Sequence, residues 1–590
     1  MSLIKFEDFC FRYSDQEKIL SDINFEVNEG EFVLFCGPSG SGKTTILANM
    51  KNEIRPIGKS EGAIYYDGLN IRKLEDEKSA SEIGYLFQNP EDQFVSDNVL
   101  QEIAFSLENM GLPHREIRNR IAEMTAFFGL DKYLYKNINE LSGGQKQLVN
   151  LCSLLVLKPR LLLLDEPTSQ LDPIAAYDFL SILRRLNEEF SITIILTEHK
   201  IDNIFPFIDR AVFLEGGKIK YADKPRQIST EAQKSNIFKN YLPYVTRIHF
   251  MLQSKYSLLD KAKIPLNIRE GRANLKLIDE HLKKIYDSKI SLWNGSTNKT
   301  SSESKEKFQN IPNHVINCQN IWFAYVKDHM VLNGIFLDVN NGEFISILGG
   351  NGTGKTTFIQ ILAGLMDPVK GNIKYKNNIK LAFVNQNPKV HFKEETVEDE
   401  LSESSLETPK NDSSLKKKKL KFNFWNNNVK STSNFKNHGE FNKNVNSNEK
   451  NDLIDLFDLT KLLDKHPYDC SGGEQQKIAI SKALLTKPDV LFLDEPTKGI
   501  DPVSKIQLGL KLKKLQENGL TIIMTTHDID FAAEYSERSI LLFDGNIQVD
   551  DTPTNVFSKN NFYTTFVNRM VKDYLPNSLT LKEVKQEWEI

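Results

Sequence analysis

The stretch GPSGSGKT (Gly37–Thr44) returns later in the same chain as GGNGTGKT (Gly349–Thr356). Both copies fit the pattern GxxxxGK[ST], in which glycines let backbone amides approach phosphate oxygens. The first copy follows EFVLFC, which reads as a buried strand, and precedes TTILANM, which reads as the start of a helix. This order of strand, loop and helix predicts a P-loop, and the repetition predicts two of them.

The repetition extends to four further motifs, which recur in the same order. They are LFQNP (86–90) and VNQNP (384–388), LSGGQKQ (141–147) and CSGGEQQ (470–476), LLLLDEPT (161–168) and LFLDEPT (491–497), and TEHK (197–200) and THDI (526–529). The interval from Ser142 to Asp165 is 23 residues, and so is the interval from Ser471 to Asp494. Conserved order and spacing of this kind indicate a duplicated domain.

The composition is that of an ordinary globular protein of more than one domain. The chain has 590 residues, is 40% hydrophobic and 26% charged, and carries a net charge of −4. This charge argues against a protein that acts mainly on nucleic acid. Apolar runs stay well below the ~18 residues of a membrane span, and the N-terminus does not resemble a signal peptide. Five scattered cysteines without a CxxC pair favour a reducing, cytoplasmic compartment.

Composition shifts predict where the two copies begin and end. We expect a first domain at 1–240, a partly helical segment and flexible linker at 241–312, a second domain at 313–555 and a tail at 556–590. Residues 405–450 contain 11 Asn, 10 Lys and 6 Ser, which predicts a low-complexity, disordered insertion within the second domain. The sequence suggests no role for the insertion or the tail.

The motifs predict a Mg²⁺-ATP site in each half. Lys43 and Lys355 are expected to reach the β- and γ-phosphates, because a P-loop lysine occupies that position. Hydroxyl and carboxylate oxygens are the ligands that Mg²⁺ prefers. The predicted hydroxyl and carboxylate ligands of the metal are Thr44 and Asp165 in the first half and Thr356 and Asp494 in the second.

A second carboxylate follows each apolar strand, one residue after the predicted metal ligand. Glu166 and Glu495 therefore point elsewhere, as expected of a general base or a residue that positions water. His199 and His527 follow at offsets of 33 and 32 residues from these glutamates, each just after another apolar strand. These four residues are the predicted catalytic residues.

With these motifs the chain resembles the ABC-type ATPases, in tandem. The resemblance implies an α/β fold with two P-loop domains, each with a RecA-like parallel-sheet core, an antiparallel β subdomain and a helical signature subdomain. It implies that Asp172 and Asp501 are D-loop residues and that Tyr13 and Tyr325 stack on adenine. It also implies that Gln88 and Gln386 are the Q-loop glutamines, which bind Mg²⁺ and link it and the γ-phosphate to a moving helical subdomain. It also implies that Ser142, Gly144 and Gln145 cover the ATP bound at Lys355, while Ser471, Gly473 and Glu474 cover the ATP bound at Lys43.

The full set of residues expected to bind ATP follows from these motifs and the resemblance. In the first half it is Tyr13, Gly37, Pro38, Ser39, Gly40, Ser41, Gly42, Lys43, Thr44, Thr45, Gln88, Ser142, Gly144, Gln145 and Asp172. In the second half it is Tyr325, Gly349, Gly350, Asn351, Gly352, Thr353, Gly354, Lys355, Thr356, Thr357, Gln386, Ser471, Gly473, Glu474 and Asp501. Cys470 and Glu474 depart from the family's LSGGQ, so the site at Lys43 is expected to be the slower one.

QNPEDQF (Gln88–Phe94) resembles the corresponding stretch of the energy-coupling-factor ATPases, which power vitamin and cobalt importers. LPYVTRIHF (242–250) and PLNIREGR (265–272) are similar to the C-terminal part of those ATPases. The resemblance implies an integral membrane coupling subunit gripped through Asp92, Gln93 and Phe94, and a separate substrate-binding membrane subunit. It implies a peripheral protein on the cytoplasmic face of a bacterial membrane, and it favours thiamine or its hydroxymethylpyrimidine precursor as the substrate.

Two other uses of a tandem ABC protein remain open at this stage. The first is a soluble translation factor that acts on ribosomes, but Pro265, Gly271 and Gly295 interrupt the segment that would have to form a rigid helical arm. The second is a DNA-repair ATPase, which would be expected to carry zinc CxxC pairs or long coiled coils. The importer is the favoured prediction.

Overall fold

The structure is a computed structural model that describes residues 2–13, 18–283, 314–326, 329–402, 447–561 and 563–590. The predicted flexible linker and nearly all of the predicted Asn/Lys/Ser-rich insertion lie outside these residues. Within them the two halves have corresponding elements.

The strands alternate with helices in both halves. In the first half they are β1 Ser2–Arg12, β2 Leu20–Asn28, β3 Phe32–Cys36, β4 Lys59–Tyr66, β5 Leu69–Asn70, β6 Ile83–Leu86, β7 Leu161–Asp165, β8 Thr193–Thr197, β9 Arg210–Glu215 and β10 Lys218–Asp223. In the second half they are β11 His314–Val326, β12 His329–Asn340, β13 Phe344–Leu348, β14 Lys370–Tyr375, β15 Leu381–Val384, β16 Val490–Asp494, β17 Thr521–Thr525, β18 Arg538–Phe543 and β19 Asn546–Asp551.

The helices cover the sheets and form the signature subdomains. Up to residue 283 they are α1 Lys43–Ala48, α2 Asp76–Glu82, α3 Val99–Asn109, α4 His114–Phe128, α5 Gly143–Leu155, α6 Pro173–Phe190, α7 Pro225–Ala232, α8 Tyr244–Gln253 and α9 Ile268–Leu277. Beyond that point they are α10 Lys355–Leu362, α11 Val397–Ser402, α12 Ser447–Phe457, α13 Gly472–Leu484, α14 Pro502–Glu517, α15 Ile529–Tyr535, α16 Pro553–Phe557, α17 Phe566–Val571 and α18 Leu581–Glu587.

Each half contains one six-stranded sheet and one smaller antiparallel sheet. The large sheets have the orders β10-β9-β3-β8-β7-β6 and β15-β16-β17-β13-β18-β19. Their neighbouring strands are parallel except for the hairpins β9–β10 and β18–β19. The smaller sheets have the orders β2-β1-β4-β5 and β12-β11-β14. The expected α/β fold with a parallel core and an antiparallel β subdomain in each half is confirmed.

The strands of the large sheets are buried on both faces, which explains why they are apolar throughout. In β3, Phe32 and Leu34 belong to the cluster on the helical side, whereas Val33 and Phe35 belong to the cluster beneath the antiparallel sheet. Because β3, β7 and β8 are parallel, their carboxyl ends meet at one edge. The P-loop, Glu166 and His199 all follow these ends and are therefore brought together.

A fifth hydrophobic cluster joins two segments that are distant in sequence. Val245, Ile248 and Leu252 of α8 pack with Val567 of α17 and with Trp588, the residue after α18. The segment after the first ATPase half and the C-terminal tail therefore share one helical core. The sequence predicts helical structure at 273–288; residues 273–277 belong to α9, and residues 279–283 are helical again after a turn at Ile278.

Candidate functional site

Both predicted P-loop lysines are the first residues of the helices that follow their loops. Lys43 and Lys355 are buried, each with 6% of its surface exposed. The Lys43 ammonium donates to the carbonyl oxygens of Gly37 and Pro38 at 2.8 and 3.1 Å. The Lys355 ammonium makes the same pair of bonds, to Gly349 at 3.1 Å and Gly350 at 2.9 Å. Burial lowers the pKa of both lysines.

The first glycine of each P-loop has no room for a side chain. A Cβ at Gly37 would lie 2.2 Å from the carbonyl oxygen of Leu214, and a Cβ at Gly349 would lie 2.4 Å from that of Leu542. The glycines that cap the following helices have positive φ angles, 97° at Gly42 and 94° at Gly354.

The first P-loop also contains a buried hydroxyl. The hydroxyl oxygen of Ser41 is buried and, among the described residues, has no hydrogen-bond partner. A buried, unpaired hydroxyl in a loop of backbone amides suits a phosphate oxygen. Ser39, Gly40, Asn351, Gly352 and Thr353 lie on the two P-loops, while Thr45 and Thr357 are the third residues of α1 and α10.

The oxygens predicted to bind Mg²⁺ are adjacent in both halves. Asp494 Oδ1 accepts hydrogen bonds from Thr356 at 3.1 Å and from Thr525 at 2.6 Å. Asp165 Oδ1 accepts from Thr197 at 2.7 Å, and Thr44 also bonds Asp165. Burial raises the pKa of both aspartates. A carboxylate next to a hydroxyl is an oxygen donor set that fits Mg²⁺.

The predicted catalytic glutamates are held in a strained backbone conformation. The φ angle is 43° at Glu166 and 50° at Glu495, which is uncommon for residues other than glycine. Glu166 Oε1 lies 2.7 Å from Nε2 of His199, and Glu495 Oε1 lies 2.9 Å from Nε2 of His527. Burial acts to raise the pKa of Glu166 and Glu495, but the paired histidine and the P-loop lysine outweigh it, so both pKa values are lowered.

The two Q-loop glutamines lie differently. Both glutamines are exposed, but Gln88 Nε2 donates to Glu166 Oε2 at 2.7 Å, and no corresponding bond joins Gln386 to Glu495 among the described residues. In the second half, Glu495 Oε2 accepts instead from the backbone N–H of His527, at 3.2 Å. Oε1 of Glu166 and Oε1 of Glu495 therefore have the same kind of partner, whereas the two Oε2 atoms have different partners.

The D-loops carry contacts between the two halves. Asp172 Oδ2 of the first half accepts a 3.4 Å hydrogen bond from the backbone N–H of Asn351, in the second P-loop. Asp501 of the second half bonds Ser39 in the first P-loop, and its Oδ1 accepts from the Tyr241 hydroxyl at 3.0 Å. Each D-loop aspartate thus lies against the P-loop of the other half.

Both signature motifs begin their helices with a capping box. Ser142 accepts from the N–H of Gln145, and Gln145 Oε1 accepts from the N–H of Ser142. Ser471 and Glu474 make the same exchange, so the acidic departure at Glu474 is a good capping residue and suits the positive end of the helix.

The signature-motif glycines Gly144 and Gly473 each lie against residues of their own half. A Cβ at Gly144 would lie 3.2 Å from Ala175, and one at Gly473 would lie 3.6 Å from Ile500. Coverage of the opposite nucleotide by these motifs therefore stays a prediction.

The two predicted adenine-stacking tyrosines lie beside the P-loop helices. The Tyr13 hydroxyl is 3.5 Å from Thr45 Oγ1, and the Tyr325 hydroxyl is 3.0 Å from Thr357 Oγ1. Tyr13 is 37% exposed and Tyr325 is 61% exposed, so each residue presents aromatic surface beside its loop. Stacking on a base is consistent with this position.

Of the residues expected to grip a membrane subunit, Asp92 is exposed. Gln93 turns inward, where its Oε1 accepts from the N–H of Phe87 at 3.2 Å, and Phe94 packs partly against the helical core. Val95, which sequence reasoning did not single out, is 66% exposed at this place. Among the described residues, every helix is too short or too polar to cross a membrane.

Sequence reasoning missed two buried residues next to the catalytic groups. Tyr241 bonds the D-loop of the other half, and Glu198 bonds Thr168 and His199 within its own half. The motif letters carry no signal for Tyr241, since it lies 260 residues from its partner. For Glu198 the available signal was that the residue before His199 is a glutamate, whereas the residue before His527 is Thr526.

Comparison with known proteins agrees with this geometry. The sequence pattern of the family described as ABC transporter matches residues 20–169 and 332–498, which together are more than half of the chain. An ABC transporter ATP-binding protein of Bacillus anthracis is 39% identical over 98% of this chain and 97% of its own. One of Methanosarcina mazei is 31% identical over 94% of this chain and 90% of its own.

Among solved structures, CbiO1 of Clostridium perfringens, described as part of the ABC transporter complex CbiONQ, is 28% identical. The match covers 43% of this chain and 96% of that one, with a TM-score of 0.37. The two segments that match the ABC transporter family, 20–169 and 332–498, contain both P-loops and both Glu166 and Glu495. The chain therefore belongs to the ABC transporter family, as an ATP-binding protein with two ATPase domains.

Proposed function

We propose that the two halves bind two ATP molecules at sites shared between them and hydrolyse them to power a membrane importer. The observation that carries the shared sites is the crossing of the D-loops, in which Asp172 reaches Asn351 and Asp501 reaches Ser39. Ligands that bind better when the halves are closed drive closure, and hydrolysis reverses it.

In this proposal the bound Mg²⁺-ATP supplies the phosphoryl group and the divalent charge. Lys43 and Lys355 hold the β- and γ-phosphates, and the P-loop amides donate to phosphate oxygens. Asp165 and Asp494, with their neighbouring threonines, hold the metal. The signature helices complete each site from the opposite half, because their N-terminal amides favour an anion.

Glu166 and Glu495 orient the attacking water and accept its proton. Both are within 3 Å of a histidine Nε2, so His199 and His527 fix their carboxylates and contact the phosphate side of the site. The lowered pKa of each glutamate keeps it ionised and able to accept a proton. Most of the lowering of the barrier comes from fixed charges and dipoles around the phosphates.

The load is an importer with separate transmembrane subunits. Family membership and the resemblance of QNPEDQF to the energy-coupling-factor ATPases support this reading. Exposed Val95 and Val390, 66% and 63% exposed, place an apolar side chain beside each Q-loop, where a helix of a coupling subunit can dock. The substrate is a vitamin or a metal ion, with thiamine or hydroxymethylpyrimidine favoured, and the protein lies peripherally at the cytoplasmic face.

The test is to isolate the Glu166→Gln, Glu495→Gln double variant from its own cells, in detergent with ATP. We expect a small polytopic coupling protein and a vitamin-binding membrane protein to accompany it. The matched control is the Lys43→Ala, Lys355→Ala variant, which should not hold the ATP-closed form. Ribosomes without a membrane protein would replace the importer by a translation factor. ATP hydrolysis at the parent rate in the double variant would refute the roles of the glutamates.

A further inference from the structure

The two catalytic carboxylates use their second oxygen differently. In both halves Oε1 lies next to the Nε2 of the histidine. Glu166 Oε2 accepts from Gln88, whereas Glu495 Oε2 accepts from the backbone N–H of His527. One carboxylate is thus linked to its Q-loop, and the other is held within its own histidine loop.

The cause lies one residue before each histidine, where the halves carry Glu198 and Thr526. Glu198 is 2% exposed, and its Oε2 accepts from the backbone N–H of His199 at 3.2 Å. Thr526 has no carboxylate to offer, and its hydroxyl accepts from the N–H of Asp528 instead. Because a buried N–H needs an acceptor, the histidine N–H of the second half takes the catalytic carboxylate.

Glu198 also ties the histidine loop to the loop that carries the catalytic glutamate. Its Oε1 accepts from both the N–H and the hydroxyl of Thr168, at 2.9 and 2.6 Å. The corresponding hydroxyls in the second half, of Thr497 and Thr526, are 3.4 Å apart. Two hydrogen bonds of 2.9 and 2.6 Å are stronger than one contact of 3.4 Å, so the two loops of the first site are held together more firmly.

Gln88, which bonds the second oxygen of Glu166, also lies close to the other half. Gln88 Nε2 would lie 3.6 Å from a Cβ placed at Gly499, in the second D-loop. We propose that Glu198 is a positioning residue that frees Glu166 to bond Gln88, so that the two ATP sites hydrolyse at different rates. This rests on the ATP hydrolysis proposed above and is independent of the transported substrate.

The experiment compares the two sites one at a time. In the Glu495→Gln chain only the Glu166 site turns over, and in the Glu166→Gln chain only the Glu495 site does. Single-turnover hydrolysis of radiolabelled ATP gives the rate constant of each, and equilibrium binding of a fluorescent ATP analogue gives its affinity. We expect unequal rate constants for the two sites.

The decisive variant is Glu198→Thr, which copies the second half. It should bring the rate constant of the Glu166 site to within about twofold of that of the Glu495 site and leave ATP affinity unchanged. In the Glu166→Gln background the same substitution should leave the Glu495 site unaffected. The reciprocal Thr526→Glu should shift the Glu495 site toward the rate of the Glu166 site, and it remains informative if Glu198→Thr fails to fold.

Three outcomes would overturn the inference: equal rates in the parent sites, unequal rates that persist in both exchanges, or a change confined to ATP affinity. A parent chain that binds ATP but does not hydrolyse it would instead defeat the proposed function.

Discussion

The phenol of Tyr241 donates a 3.0 Å hydrogen bond to Asp501 Oδ1, and the two residues belong to different halves of the chain. The same carboxylate oxygen caps α14, where it accepts from the N–H groups of Val503 and Ser504. Asp501 is 1% exposed, and although burial acts to raise its pKa, the hydrogen bonds from Ser504, the nearby His199 and Ser39 lower it to about 2. The charged D-loop aspartate is thereby fixed at the boundary between the halves.

We expect Tyr241→Phe to destabilise the protein by about 1–3 kcal/mol, the usual cost of removing a donor from a buried charged acceptor. Thermal unfolding of the chain with and without Mg²⁺-ATP would measure it. The control is Tyr177→Phe, at a residue that is 52% exposed. An unchanged melting temperature in Tyr241→Phe would show that the bond contributes nothing to the stability of the joined halves.

The second half contains a buried ion pair at a position where the first half has no lysine. Lys482 and Glu400 have side chains 2% and 0% exposed, and they contact each other directly. Lys482 also donates to the carbonyl oxygen of His391 at 2.9 Å, while Ser153 occupies the corresponding position of the first half. Burial, reinforced by Lys482, lowers the pKa of His391 to about 4.

Lys482→Met should cost about 3–5 kcal/mol, because it leaves the Glu400 charge buried and unpaired. The double variant Lys482→Met, Glu400→Gln should recover much of that loss, since no charge then remains. Urea unfolding followed by tryptophan fluorescence gives both values. If the double variant were no more stable than the single one, the buried charge would not be the cause of the loss.

Asp528 and Asp530, which closely follow His527, should affect the stability of the fold in opposite directions. Burial, then Asp528 and Asp202, raises the pKa of Asp530 to about 7. The unfolded carboxyl has a pKa of about 3.9, so the folded protein keeps a proton that the unfolded chain releases. The contribution of Asp530 to stability is therefore present below about pH 4 and lost as the pH rises to about 7.

We expect Asp530→Asn to raise the melting temperature most at about pH 8 and by less at about pH 5, because the unfolded carboxyl is already largely ionised at that lower pH while the folded one still holds its proton. Asp528→Asn is the matched control, because the ion pair with Lys505 at 2.5 Å helps to lower the Asp528 pKa against the effect of burial. It should lower the melting temperature at both pH values. A parallel response of the two variants would contradict the assignment of the raised and lowered pKa values.

The C-terminal tail should be required for a stable fold. Trp588 is 1% exposed within the cluster that joins the tail to α8 and α9. Trp588→Ala should cost about 3–5 kcal/mol, since it removes a large buried side chain and leaves a cavity. The control is Leu258→Ala, at a residue of the same region that is 56% exposed. Equal unfolding midpoints for the two variants would show that the tail is not part of the core.

The sequence predicted the fold and most of the site because these features are local. The P-loop depends on a few glycines at fixed spacing, and the φ angles of Gly42 and Gly354 explain why glycine is needed there. Apolar strands buried on both faces are visible as short hydrophobic runs. Asp165, Glu166 and His199 lie close together because they are at or just after the carboxyl ends of neighbouring parallel strands.

The packing of the tail and the difference between the halves could not be predicted in this way. Trp588 joins α8 through contacts across more than 300 residues, and no local pattern specifies such a partner. The sequence suggested that the Lys43 site is the slower one from the departures at Cys470 and Glu474, and that prediction remains to be tested. The structure adds a different source of asymmetry, in the hydrogen bonds of Glu198.

By itself, the sequence determined that this chain has two P-loop ATPase halves, and which residues line each loop, because backbone geometry and charge are specified by short motifs. Only the tertiary structure decided that Asp172 and Asp501 each lie against the other half, and which group bonds the second carboxylate oxygen of Glu166 and of Glu495. The physical reason is that a hydrogen bond depends on where its partners lie in space. Their separation along the chain does not determine that position.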